Sequence, residues 1–438
     1  MRGVIAKVCR GCGAKTGTLL AIIALATLAG CSTTARPPKV SAAIGDYYYG
    51  RYEPAKQALL PEAQKKNENY VLNNLRLASV ALADYDLRLA ETALYTAYEV
   101  INSVNVNDPG RATGTVVLWE GMKIWKGEPF ERAMANFYLG VLYYMKHDYN
   151  NARAAFENAL FKLRDYGESG KTDKYREVES DFTIAYIMLG RCWGKLGEPQ
   201  KAADIFNRIA QLRPDLRPLI EAESFGSANV LLIVDFGQGI EKRLGPDNSI
   251  MVMWPDPRTA PPIPRAVVQV DGRRVDMRGQ DMPPLDLIAL AHERRWQTMD
   301  TVRVVKSAAA TGLAAGAAYS AYQGHRETAI GLAAASLLLK ASATADLRHW
   351  EMLPRTTFII PLQLPPGRHD VTVNVGQFSQ TWRGIVAPPQ DEATYYIRIS
   401  PWNPATYSWP PPALGLAAEP EPPTTPPTPA PRREGPRP

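Results

Sequence analysis

The chain has 438 residues, 45% of them hydrophobic, enough for two or three domains with sizeable cores. Its net charge of +6 is concentrated at one end, where Arg2, Lys7, Arg10 and Lys15 bring four positive charges and no acid accompanies them. Without those four the balance is only +2, so the basic pI is no argument for nucleic acid, and none is expected as a partner.

In chain order, the first element is a three-part secretory pattern. The basic stretch is followed by an almost purely aliphatic run from Leu19 to Leu28, then Ala29, Gly30 and Cys31. Leu28-Ala29-Gly30-Cys31 resembles the bacterial lipobox, in which a lipid is attached to the cysteine thiol and the chain is cut just before it. The resemblance implies a signal peptide over 1–30, lipid attachment (palmitate among the acyl chains) at Cys31, a tether over 31–41, and a membrane as partner. The aliphatic run is shorter than the about 20 apolar residues a spanning helix needs. Cys9 and Cys12 would leave with the signal, and Cys192 would remain as the single free thiol, so no intrachain disulfide is expected. Ser32 follows the lipidated cysteine. In many two-membrane bacteria that choice sends a lipoprotein to the outer membrane, so a lipid-anchored, periplasm-facing location in the cell envelope is expected.

From 42 to 220 the pattern is repetitive and helical. The clearest unit is Leu139-Gly140, Tyr143, Tyr149, Ala152, Phe156, Ala159; the next is Leu189-Gly190, Trp193, Gly197, Ala202, Phe206, Ile209, Pro214. Both resemble the tetratricopeptide repeat. Small residues at 140, 152, 190 and 202 let two helices approach, and the aromatics fill the space around the crossing. A weaker unit runs through Leu77, Ala78, Ala81, Ala90, Leu94 and Ala97. A fourth reads only as a second-helix stub through Gly50, Tyr52, Ala55 and Leu59. The equivalent alanines 55, 90, 152 and 202 lie 35, 62 and 50 residues apart, which puts insertions near 102–129 and 165–180. Arrays of this kind bind proteins on a concave face. The candidate partner-binding residues there, from first helices, are Asn73, Arg76, Asn136, Tyr144 and Tyr186.

From 221 to 404 the period changes to two. Asn229–Phe236 reads as a mostly buried strand before a Gly237-Gln238-Gly239 turn. Arg265–Val275 reads as a hairpin with Asp271-Gly272 in a type I′ turn. Thr357–Leu364 and His369–Val375 read as a second hairpin, with Pro366-Gly367 in a type II turn. Ala393–Ile399 alternates as a further strand. A helical insertion over 285–342 interrupts these strands: an amphipathic helix over 285–301, then the Ala/Gly-rich stretches 307–322 and 330–339. The latter pair admits three readings: buried helices, an apolar hairpin touching lipid or a partner, or a spanning element, for which each limb is short. From 405 to 438 the chain is proline-rich and is expected to stay disordered or polyproline-like. The fold class is therefore α+β and multidomain: a tetratricopeptide-like helical array, then a mostly antiparallel β-rich domain with inserted helices.

No catalytic signature stands out. His292-Glu293 begins like a zinc-protease helix, but Trp296 occupies the second ligand position. The five histidines are far apart, Lys242 replaces the third glycine of a dinucleotide fingerprint, and no phosphate loop occurs. No catalytic residue, cofactor or metal is expected. The whole pattern resembles a little-characterised family of bacterial envelope lipoproteins that join tetratricopeptide-like helices to a β-rich half. The likeness rests on Gly127–Arg132, Asn229–Val234, Ala345–Trp350, Leu353-Pro354 and Leu364–Gly367. It implies a non-enzymatic protein-binding scaffold or assembly factor with an envelope protein partner. The alternatives are a cell-wall-acting enzyme with its site between the two halves, and a membrane-associated homo-oligomer built on 307–339.

Overall fold

The computed structural model describes residues 36–102, 124–163, 165–166, 177–178, 182–224, 228–244, 251–256, 259–275, 282–291, 313–323, 325–342, 347–400 and 402. The expected signal, Cys31, Ser32 and the proline-rich tail from 405 lie outside them.

Helices fill the first half: α1 (Pro38–Tyr48), α2 (Tyr52–Ala63), α3 (Tyr70–Ala83), α4 (Leu87–Asn102), α5 (Pro129–Met145), α6 (Tyr149–Phe161), α7 (Thr183–Lys195), α8 (Pro199–Leu212) and α9 (Arg217–Ser224). A two-residue ladder, β1 (Asp165–Tyr166) with β2 (Glu177–Val178), lies between α6 and α7. Prolines at the first turn of α1, α5 and α8 suit positions whose N–H has no intrahelical acceptor.

The helices pair as four hairpins with one turn in common. Gly50, Tyr85, His147 and Gly197 each take a positive φ, between 60° and 77°, just past a first helix. After each, the next amide closes the same loop onto a carbonyl five residues back: Arg51 to Asp46, Asp86 to Ala81, Asp148 to Tyr143 and Glu198 to Trp193. The turn residues are spaced like the alanines, so these are four tetratricopeptide-like helical units in one register. Inside two of them the helix crossing leaves no room for a methyl group. A Cβ on Gly140 would lie 2.6 Å from the Phe156 ring, and one on Gly190 2.9 Å from Phe206.

The first unit is more complete than its sequence suggests. Pro37-Pro38 starts a full first helix, which buries Val40, Ala43, Ile44, Tyr47 and Tyr48. The chain is therefore helical from Pro38, inside the stretch expected to be a tether.

The second half carries two four-stranded sheets. One has the order β12 (Ala393–Ile399), β3 (Val230–Phe236), β9 (Thr356–Leu362), β8 (Leu285–Asp286); β12 and β3 run parallel and the other pairs antiparallel. The other has the order β11 (Phe378–Ala387), β10 (Gly367–Val375), β6 (Ala266–Val270), β7 (Arg273–Val275), all antiparallel. A separate hairpin joins β4 (Glu241–Leu244) and β5 (Met251–Trp254).

Every residue of β3, β9 and β12 is buried, which requires cover on both faces of that sheet. The cover is different on each side. Phe236 meets Phe378 of β11, and the Tyr395 hydroxyl bonds the backbone of Val386, so one face packs on the second sheet. Asp235, Tyr396 and Arg398 turn the other way, onto α5 and α1. The molecule is thus three layers, helices, sheet and sheet, with the first sheet in the middle.

Asp271 and Gly272 take φ of 51° and 75° between β6 and β7, as a type I′ turn requires. The second hairpin expected from sequence does not form: β9 and β10 belong to different sheets. Gly367 has φ of 143° rather than the value near +80° of a type II turn, and the prolines before it carry the chain between layers. The helix expected over 285–301 begins as strand β8, because Leu285 pairs with Thr357; helix α10 then covers Leu287–Ala291, and 292–301 lie outside the described residues. A helix at 313–322 (α11) and α12 (Arg326–Ser342) form the Ala/Gly-rich hairpin, with Gly316 of one facing Leu332 of the other.

Candidate functional site

The candidate site is the face where the helical array meets the middle sheet. Arg76 of α3 donates from Nε to Glu351 Oε2 at 2.8 Å and from an η nitrogen to Oε1 at 2.6 Å. Asn73 accepts from Arg76 at 2.8 Å, and Arg36 adds a second cation to Glu351 at 2.7 Å. Burial alone would raise the Glu351 carboxyl, but the Arg76 charge and hydrogen bonds, with Arg36, together hold it below the usual carboxylate range.

A second group lies at the far end of β12. Arg191 of α7 donates to Glu392, and the Tyr144 hydroxyl of α5 donates to Glu392 Oε1 at 3.1 Å. Between the two, Asp235 of β3 accepts from Tyr138 at 2.5 Å, Tyr396 at 2.8 Å and Thr357 at 2.6 Å. Burial dominates there and raises the Asp235 carboxyl despite the nearby Arg398 charge. Arg398 itself donates to the Tyr47 hydroxyl at 2.8 Å and to the Gly237 carbonyl.

The segment before β9 is fastened as firmly. The Trp350 amide donates to Glu131 Oε1 at 2.7 Å, and its indole N–H to Ser79 at 2.9 Å. Glu131 also takes the Glu128 amide at 2.7 Å, closing the first turn of α5. Lys242 reaches Glu128 at 2.9 Å and Glu131 at 3.6 Å. Desolvation is the main influence on Glu131 and raises its carboxyl.

The five candidate residues are all buried. Arg76 and Tyr144 bond the second half directly, and Asn73 does so through Arg76. Asn136 donates to the Arg132 carbonyl within α5, and Tyr186 lies under Arg208 of α8. The groove expected to be open to another protein is instead filled by the chain's own sheet, whose apolar strands bury the face that a second protein would cover. The carboxylates that hold it, at 235, 351 and 392, were not singled out from sequence. A charged residue inside an otherwise apolar strand, as Asp235 and Arg398 are, is the signal that could have found two of the partners.

This arrangement matches each of these buried charges with an opposite charge or with hydrogen-bonding hydroxyl, carbonyl or amide groups, which is the chemistry of a fixed joint. Among the described residues no group of three His, Cys, Asp or Glu side chains is placed to hold a metal. Burial raises the Cys192 thiol well above its ordinary range, as suits a packed core residue. An open groove of about 410 Å³, lined by Gly367, Arg368 and 386–390, shares no residue with this interface.

No protein-family model and no curated protein matches the chain. Similar solved structures include the crystal structure of MamA, at 16% identity, covering 41% of this chain and 78% of that one with a TM-score of 0.28. A putative kinesin light chain from Podosopora anserina with nearly identical TPR-like repeats is 12% identical, covering 42% and 82% with a TM-score of 0.29. A thermophilic TPR protein of Thermus thermophilus is 13% identical, covering 43% and 96% with a TM-score of 0.21.

Proposed function

We propose that the protein is a non-enzymatic, lipid-anchored scaffold or assembly factor of the cell envelope, held through Cys31 at the outer membrane and facing the periplasm. Its inner face, through Arg76, Tyr144 and their neighbours, grips the chain's own second half, so an envelope partner is met by outer surfaces. The observation that carries this reading is the α11–α12 hairpin. Tyr319, Tyr322 and Ile330 are 66%, 86% and 47% exposed on a hairpin built mostly of Ala, Gly and Leu. Large apolar side chains left exposed on one hairpin favour an interaction site. No described helix is long and apolar enough to cross a membrane. Between the layers, Asp235, Glu131, Glu351 and Glu392 are engaged by cations, hydroxyls and amides, which favours a joint over an enzyme's cleft.

The test is crosslinking in living cells with mass spectrometry, comparing the native chain, Cys31→Ser, and Tyr319→Ser with Tyr322→Ser. Specific envelope proteins captured by the native chain alone support the reading. Capture of nothing specific by the native chain contradicts it. Self-crosslinks alone, lost in the tyrosine variant, would replace it with the homo-oligomer.

A further inference from the structure

Three cations lie at one end of the α5–α6 hairpin, close enough that the Arg132 charge acts on Lys126 and both act on Lys162. Lys126 lies just before α5, Arg132 in its first turn, and Lys162 immediately after α6. The two helices are antiparallel, so the start of α5 faces the end of α6.

These cations differ from the others near the joint. Lys162 keeps only 8% of its surface, yet among the described residues no carboxylate pairs with it. Its ammonium lies 5.9 Å from the centroid of the Phe161 ring. The Arg132 Nε is sealed from solvent and has no hydrogen-bond partner among the described residues. Glu128 and Glu131 extend their field to Arg132, but they are already engaged by Lys242 and by backbone amides. The carbonyl end of α6 favours positive charge, but its dipole is equivalent to about half an elementary charge and cannot balance three.

We propose that Lys126, Arg132 and Lys162 form a binding site for a phosphoryl group. A phosphate carries close to two negative charges and offers oxygens in several directions, which suits a planar guanidinium fork beside two ammonium groups. A carboxylate has half that charge. Burial, then the Arg132 and Lys126 charges, push Lys162 down to about 8, so an arriving anion would draw a proton onto it.

The test uses the purified full chain and titration calorimetry with inorganic phosphate, against acetate and chloride at equal ionic strength. The expected result is saturable phosphate binding, weaker by about tenfold or more in Lys162→Met, as for loss of a charged hydrogen bond. Lys126→Met, at a less buried position, should weaken it as well. At pH 8 the binding heat should change with the buffer's ionisation enthalpy, reporting proton uptake by Lys162. Sedimentation with phosphatidylcholine vesicles, with and without phosphatidylglycerol, separates the sources. Binding of phosphate alone assigns a soluble phosphate, and binding of both, each lost in Lys162→Met, assigns a lipid headgroup. No preference for phosphate over acetate, or binding unchanged in both variants, overturns the proposal.

Discussion

Replacing Arg191 by Met tests the joint between the two halves at a single bond. The guanidinium and the Glu392 carboxylate are 7% and 2% exposed, and they join α7 to the residue that leads into β12. Removing one member of a buried pair leaves the other charge uncompensated, at a cost of about 3–5 kcal/mol. Three groups remain near Glu392: the Tyr144 hydroxyl at 3.1 Å, the Thr394 hydroxyl at 3.5 Å and the part-exposed Lys195 ammonium at 4.0 Å. They place the expected loss at the lower end, about 3 kcal/mol, roughly a hundredfold in the folding equilibrium. Removing both charges, Arg191→Met with Glu392→Gln, should recover about 2 kcal/mol of that loss, because no unpaired charge is left. Urea unfolding of the native chain, Arg191→Met, Glu392→Gln and the double variant at pH 7 measures both numbers. An Arg191→Met protein within about 0.5 kcal/mol of the native chain, or strict additivity in the double variant, would refute the reasoning.

Three further outcomes follow from other sites. Gly140→Ala should destabilise by about 1–3 kcal/mol, because the new methyl meets the Phe156 ring at 2.6 Å; Gly194→Ala, with open space at the same atom, should stabilise the helix, and thermal melts compare them. Lys162→Met should raise the melting temperature at pH 7 in phosphate-free buffer. The native Lys162 is lowered to about 8 in the fold, so it binds fewer protons than in the unfolded chain. Its penalty is full below about 8 and fades as pH rises toward the unfolded value near 10.4, so the gain from Lys162→Met should shrink over that window. The His369 imidazole, 2.7 Å from Asp271, behaves oppositely. Burial works against its charge, but the Asp271 hydrogen bond, the Pro365 carbonyl and the Asp271 charge raise it overall. That stabilisation is complete below about 6.5 and is lost as pH rises through the folded value, so His369→Gln should cost more at pH 5.5 than at pH 8, by less than about 1 kcal/mol at this exposed carboxylate.

Much of the helical half is legible in the sequence because its packing is local. Leu-Gly pairs and spaced alanines report contacts between helices adjacent in the chain, and the turn residues Gly50, Tyr85, His147 and Gly197 fall at the same intervals. The first helix of the first unit is hard to see in the sequence because Ala42-Ala43 stand where the stronger units show Leu139-Gly140 and Leu189-Gly190. The β half is less legible. Thr357–Leu364 and His369–Val375 look like neighbours, and only pairing with distant β3 and β6 separates them into two sheets. β11 has no clear strand signal because Thr381, Arg383 and Gly384 break its apolar pattern.

The site was the least legible part. An inner-face Arg or Tyr reads the same whether another protein covers it or residues some 250–275 positions away do. Glu351 and Glu392 follow ordinary loop sequences and give no local sign that they reach into the array. Two of the segments that carry the family resemblance, Gly127–Arg132 and Ala345–Trp350, hold Glu131 and Trp350, which bond each other, but nothing in either segment announces that contact.

The central claim is that the array and the middle sheet are one body, joined face to face. Hydrogen exchange on the native full chain tests it most directly, by comparing the amides of α5 with those of β12. The account predicts that both open through the same event, with matching protection and matching dependence on denaturant. Exchange of β12 roughly a hundredfold faster than α5, with its own denaturant dependence, would show the sheet leaving the groove while the helices stay folded, and would contradict the account.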